Sequence, residues 1–166
     1  MPWMSQIALW PAKSSYLQAM DFLGEQISRA DRPYYDLRGP LDPQDRETGL
    51  WNVEVPQSGH GAMDDMFLPS LRATYEANAR DLVGLRALRI VNALHQYREE
   101  HSTEARGLED LPLSKEATID PFSGEPLKLK HTDDGWLIYS VMQNGVDDGG
   151  DFTDAKDYGL APRKKR

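Results

Sequence analysis

Cysteine is missing from all 166 residues. No thiol is therefore available as a nucleophile, and cysteine usage says nothing about redox compartment. Long apolar runs are missing too. The uncharged opening MPWMSQIALWPA is too short to span a bilayer and lacks the basic n-region of a secretory signal. No later run reaches the roughly twenty apolar residues that a spanning helix needs. Positive charge is in short supply, with 19 Lys and Arg against 27 Asp and Glu for a net charge of −8. A nucleic-acid binder needs clustered bases to meet phosphates, so that class is excluded. The only basic cluster, Arg163-Lys164-Lys165-Arg166, reads as a solvated end. These absences leave two placements open: a cytosolic protein, or the soluble part of a larger protein anchored in the cell envelope or periplasm.

Catalytic signatures are also lacking. The chain contains no GxSxG, P-loop, GxGxxG or HExxH pattern. His95 and His101 stand six apart, about 600° around a helix, so they face opposite ways and cannot share a metal. His60 lies between Gly59 and Gly61 and reads as a loop residue, and His131 falls at a turn. Adjacent carboxylates such as Glu99 and Glu100 point in different directions on a helix and suit an exposed face better than acid–base work. The expectation is a protein that is not an enzyme.

What is present divides into three parts: 1–62, an N-terminal helix with a Pro/Gly-rich irregular extension; 63–160, a helix-plus-hairpin domain with an acidic loop; and 161–166, the basic tail. Residues 13–31 predict a helix with Tyr16, Met20, Leu23 and Ile27 on one face, ended by Pro33. From Pro33 to Gly61 prolines and glycines recur; the segment reads as irregular, with one short strand at Trp51, Val53 and Val55. A long helix is expected from about Asp64 to Glu100. Its drifting apolar stripe runs through Leu71, Tyr75, Leu82, Leu85, Ala87, Ile90, Val91, Leu94 and Tyr97. Gly84 costs about 1 kcal/mol relative to Ala, so a bend or break is expected there. GLEDL predicts a short helical turn and DPFSGEPL a turn. PLKLK (126–130) and WLIYSV (136–141) predict strands joined at HTDDG. The fold class is α+β, a long amphipathic helix packed on a small antiparallel sheet.

The stretch after the second strand, NGVDDGGDFTDAKD, holds Asp147, Asp148, Asp151, Asp154 and Asp157 within eleven residues. An EF-hand reading fails because Met142 would stand at a ligand position. Hard oxygen donors among Gly145, Gly149 and Gly150 suit a Ca²⁺ site, since glycines let carbonyls turn inward. A flexible, solvated acidic loop explains the same composition, and both readings stay open on composition alone.

A resemblance bears on the choice. The series AL--Y at Ala93-Leu94 and Tyr97, then Gly107-Leu108 and Leu111, DPFSGEPL, a hairpin, and YSV--NGVDDGG resembles the globular part of the major pseudopilins of type II secretion systems. It looks still more like the pilin-like C-terminal end of many bacterial proteins. The resemblance covers about residues 66–158 and is most specific in the last sixty. Residues 1–60 match nothing in that family, and neither its leader nor its apolar assembly helix stands in this sequence. Family loops of the form "YS-G-DG--GG-G-DAD" hold calcium. Onto that form map Tyr139-Ser140, Asn144-Gly145 in place of Asp-Gly, Gly149-Gly150, and Asp154-Ala155 with Asp157 beyond an inserted Lys156. The resemblance thus implies a pilin-head-like, non-enzymatic structural or interaction domain with Ca²⁺ held by Ser140, Asn144, Asp154 and Asp157, and a protein partner. A different reading makes the chain a small metal-free binding module that meets its partner through region 33–61, with Tyr34, Tyr35 and Trp51.

The non-enzyme expectation has a direct check. A broad esterase, phosphatase and peptidase screen should find no activity that His60→Ala removes.

Overall fold

The computed structural model describes residues 32–37 and 62–163, together with isolated helical positions at 17, 20, 21, 24 and 28. Tyr16, Leu23 and Ile27 of the expected first helix, the strand at Trp51, Val53 and Val55, and His60 lie outside the described residues. Met20 is helical, but it is half exposed rather than buried.

After a four-residue helix α1 (Tyr34–Leu37) the chain enters α2, a single helix from Ala62 to His101. At about 1.5 Å per residue its 40 residues reach about 60 Å. It runs through Gly84 without interruption, which corrects the expected break. Val83 and Ala87 on either side are fully buried, and tertiary packing of that face outweighs the propensity cost of one glycine. The helix ends where Ser102 takes a left-handed φ of 55° and returns its N–H to the Arg98 carbonyl at 2.9 Å.

The buried stripe is Ala79, Val83, Ala87, Ile90, Ala93 and Leu94, spaced by three or four residues as a helix requires. Leu85 was expected in the stripe but is 59% exposed, and Leu88 is 55% exposed. Size in part decides this. Ala79, Ala87 and Ala93 join the core cluster, so small residues face inward and two leucines are left outside.

A 3₁₀ turn (Leu108–Asp110) and a short helix α3 (Lys115–Thr118) lead to the sheet. Its three antiparallel strands, β1 (Lys128–Thr132), β2 (Gly135–Ser140) and β3 (Tyr158–Leu160), lie in the order β1-β2-β3. Asp133 and Asp134 form the two-residue hairpin loop between Thr132 and Gly135, and the positive φ falls on Gly135 at 133°. β3 is an addition to the two strands expected. It fits because Gly159 sits against the Ile138 carbonyl, where any Cβ would collide.

β2 does not alternate between buried and exposed. Leu137, Ile138, Tyr139 and Ser140 are all buried. Ile138 belongs to the core cluster with Ile90, Leu94 and Leu127, while Tyr97, Leu129 and Trp136 pack at its margin. On the opposite face Leu137 and Tyr139 lie under Gly150, where an added Cβ would meet both side chains. The acidic loop is therefore the second cover of the central strand.

α1 is tied to the same core. Tyr34 is buried edge-on against Phe122 at 5.0 Å, and the Tyr35 N–H donates to the Pro121 carbonyl at 3.1 Å. Tyr34 thus serves as a core side chain rather than a partner-facing one.

The reassigned stripe makes a clear prediction. Ile90→Ala should cost about 2–5 kcal/mol in denaturant unfolding, as for other buried aliphatic truncations. Leu85→Ala, on the outer face, should change stability by about 0.5 kcal/mol or less.

Candidate functional site

Two buried carboxylates organise the end of β2 and the loop that follows. The first is Asp120, which opens DPFSG and is 1% exposed. Its Oδ1 accepts from the Phe122 N–H (2.9 Å) and the Ser140 hydroxyl (2.8 Å). Its Oδ2 accepts from the Ser123 hydroxyl (3.0 Å) and the Val141 N–H (3.2 Å). Four donors on one carboxylate are what makes so buried a charge tolerable. The Ser140 hydroxyl also accepts from the Met142 N–H at 3.0 Å. Ser140, a residue expected to serve the metal, therefore has its hydroxyl committed to the strand–turn junction.

From Val141 onward the chain coils through five left-handed residues: Met142, Gly145, Gly149, Gly150 and Asp154. Three are glycines, for which that conformation carries no Cβ penalty. The coil is held from outside by Lys130, whose Nζ donates to the Gly149 carbonyl at 3.2 Å, and by Tyr139, whose hydroxyl donates to Asp147 Oδ1 at 2.8 Å. Burial first, and then Asp147, push the Tyr139 phenol well above its ordinary pKa. Asn144 closes a local turn: its Oδ1 accepts from the Val146 N–H, and its Nδ2 donates to Asp148 Oδ2 at 3.1 Å.

The aspartates sort by environment. Asp151 accepts from the Thr153 hydroxyl (2.7 Å), the Thr153 N–H and Lys156 Nζ (3.0 Å). Those bonds, led by the Thr153 hydroxyl, hold its carboxyl down at about 2. Asp154 is exposed. Asp157 is the second buried carboxylate, at 1% exposure. Its Oδ2 accepts from the Gly150 N–H at 2.8 Å, whereas its Oδ1 is buried with no hydrogen-bond partner. Burial raises its pKa against the opposing pull of the Gly150 and Asp148 N–H groups, and the charges of Asp148 and Asp147 raise it further. A buried carboxylate oxygen left unpaired costs about 1–3 kcal/mol or more, so this atom stands out in an otherwise satisfied loop.

Of the four residues expected to hold calcium, Asn144 and Asp157 thus share one coil, linked through Asp148. Ser140 turns into the core, and Asp154 lies on the outer surface. The negative charges acting on Asp157 are those of Asp147 and Asp148, from the DDGG stretch. Among the described residues no three His, Asp or Glu side chains converge as a ready ligand set. No family model, curated protein or solved structure matches this chain. Asp120 escaped sequence reasoning, although an aspartate opening a Pro-Phe-Ser-Gly turn was a usable signal, because such residues bond their own turn backbone.

Two outcomes follow from this geometry. Ser140→Ala removes one hydrogen bond to a buried charge and should cost about 1.5–3 kcal/mol in denaturant melts. Asp157 has a folded-state pKa above its unfolded value, so its stabilising contribution is full below the ordinary carboxylate range and is lost as pH rises through the raised value. Asp157→Asn should accordingly raise the melting temperature in chelator at pH 7. The gain should shrink as pH falls toward about 4, where the parent carboxyl is protonated. Asp151 titrates in the opposite sense, lending stability above its ordinary pKa that is lost toward about 2, and it cancels in the comparison of variant with parent.

Proposed function

We propose that this chain is a non-enzymatic structural or interaction domain, resembling a pseudopilin head, whose acidic loop is completed by a calcium ion. The observation that carries the reading is the buried, unpaired Oδ1 of Asp157 inside a glycine-rich coil of carboxylates. A hard cation would satisfy that atom and relieve the mutual repulsion of Asp157, Asp147 and Asp148. Calcium suits the donor chemistry because it takes six to eight oxygens in flexible geometry, and magnesium demands a tighter octahedron. Asp157 would supply the first carboxylate and the loop backbone its carbonyls, and Asp147, Asp148 and Asn144 would have to draw in around the ion, since no three acidic side chains converge among the described residues. The bound ion would supply charge neutralisation and order to the cover over Leu137 and Tyr139, and through them to the sheet. The non-enzymatic side of the reading is supported by the sequence, which lacks a nucleophile motif and a thiol.

Melting curves and titration calorimetry test this. A ligand that binds only the folded loop stabilises by RT ln(1 + [L]/Kd), about 2.7 kcal/mol at a hundredfold excess over Kd. The melting temperature should then rise by several degrees in millimolar Ca²⁺, and by less in Mg²⁺. Asp157→Ala should abolish the shift, and Asp133→Ala at the hairpin tip should leave it intact. Asp148→Ala and Asp154→Ala separate the ligand set suggested by geometry from that implied by family resemblance, the first losing the response and the second keeping it. Superimposable melts in chelator and calcium, with no binding heat, would sink the proposal.

A further inference from the structure

α2 keeps one face open along the middle of its length. Away from the buried stripe stand Leu85 and Leu88, 59% and 55% exposed. Asp81 and Arg89, both exposed, lie four residues to either side of Leu85. Eight helical residues separate the two charges by about 12 Å, so they do not pair with each other. Among the described residues neither makes a hydrogen bond or an ion pair. The sequence outward from Leu85 is its own complement. An identical helix turned end for end about Leu85 sets Arg89 opposite Asp81, Leu88 opposite the half-buried Leu82, and Asn92 opposite Asn78. A parallel helix in the same register would instead set Asp81 against Asp81 and Arg89 against Arg89.

We propose that this face of α2 binds the same face of a second copy of the chain, the two helices running antiparallel about a twofold axis at Leu85. The two Leu85 side chains meet on the axis, with Leu82 of each copy against Leu88 of the other. One Asp81–Arg89 pair closes each flank, so charges left unpaired within one chain are satisfied twice in the pair. Opposite charges at equal distances from the apolar centre fix both the orientation and the register. The contact is isologous, so it closes as a dimer and does not propagate. The net charge of −8 on each copy opposes approach, and the apolar centre is small, which places the dimer among weak, transient associations.

Sedimentation velocity of the full chain tests this, with chelator in every sample so that metal ions cannot bridge acidic loops. At about 0.15 M salt, where the net repulsion is screened beyond about 8 Å, the average mass should rise between micromolar and millimolar concentration. It should level off at the mass of two chains. Leu85→Asp, on the outer face, should keep its helical circular dichroism and stay monomeric. Asp81→Arg and Arg89→Asp should each weaken the dimer about tenfold, because each sets like charges together on both flanks. The double variant Asp81→Arg, Arg89→Asp should pair as tightly as the parent, and so should an equimolar mixture of the two single variants, since opposite charges face one another again. A chain that stays monomeric at every concentration, a mass that climbs past two copies, or association that persists in Leu85→Asp would overturn the assignment. So would single reversals that leave the dimer as tight as before, or a double variant no tighter than the singles.

Discussion

The carboxylate of Asp120 is the point on which the arrangement of turn, strand and loop depends. It has almost no access to water, and its four donors come from two places: Phe122 and Ser123 within its own turn, and Ser140 and Val141 where β2 ends. The Phe122, Ser140 and Val141 donors are buried, so removing the carboxylate would strand several groups at once. Neighbouring contacts extend its reach. Pro121 and Phe122 receive α1 through Tyr35 and Tyr34, and Arg86 of α2 donates to the Ile119 carbonyl at 2.6 Å. One acid thereby sets the position of helix, turn and strand relative to one another.

The second constraint is that β2 needs two covers. A three-stranded sheet against one helix normally leaves a face for water, yet Leu137 and Tyr139 point away from α2 and are still buried. Their cover is the acidic loop, an unusual lid because its side chains repel one another. The lid is held by backbone contacts made through glycines and by Lys130 and Tyr139 at its edges. A loop that both covers a core strand and concentrates negative charge must hold its own repelling side chains in place. Structure and electrostatics meet at Asp157, one residue before β3.

Legibility in the sequence followed the range of the interactions involved. The second half of α2, the GLEDL turn, the DPFSG turn and the hairpin rest on contacts between residues close in the chain, and their residue types announce them. The inward face of the first half of α2 did not announce itself. Leu85 is larger and more hydrophobic than Ala79, yet Ala79 joins the core and Leu85 stays exposed. β3 was equally hidden, because three residues carry no periodic pattern and the requirement for Gly159 comes from the Ile138 carbonyl across the sheet.

The candidate site divides in the same way. The sequence by itself determined that the chain would be α+β, that it would carry no thiol chemistry, and that a glycine-rich acidic loop would follow the second strand. It did so because composition and short-range periodicity encode those features directly. Which aspartate is buried was decided by the tertiary structure alone. Pairing of β3 with β2 carries Asp157 under the coil and leaves Asp154, three residues earlier, in solvent. The same pairing end turns Ser140 toward Asp120 and away from the loop. Charge count along a chain is one-dimensional, while desolvation depends on what lies above each carboxylate, and only the folded chain supplies that.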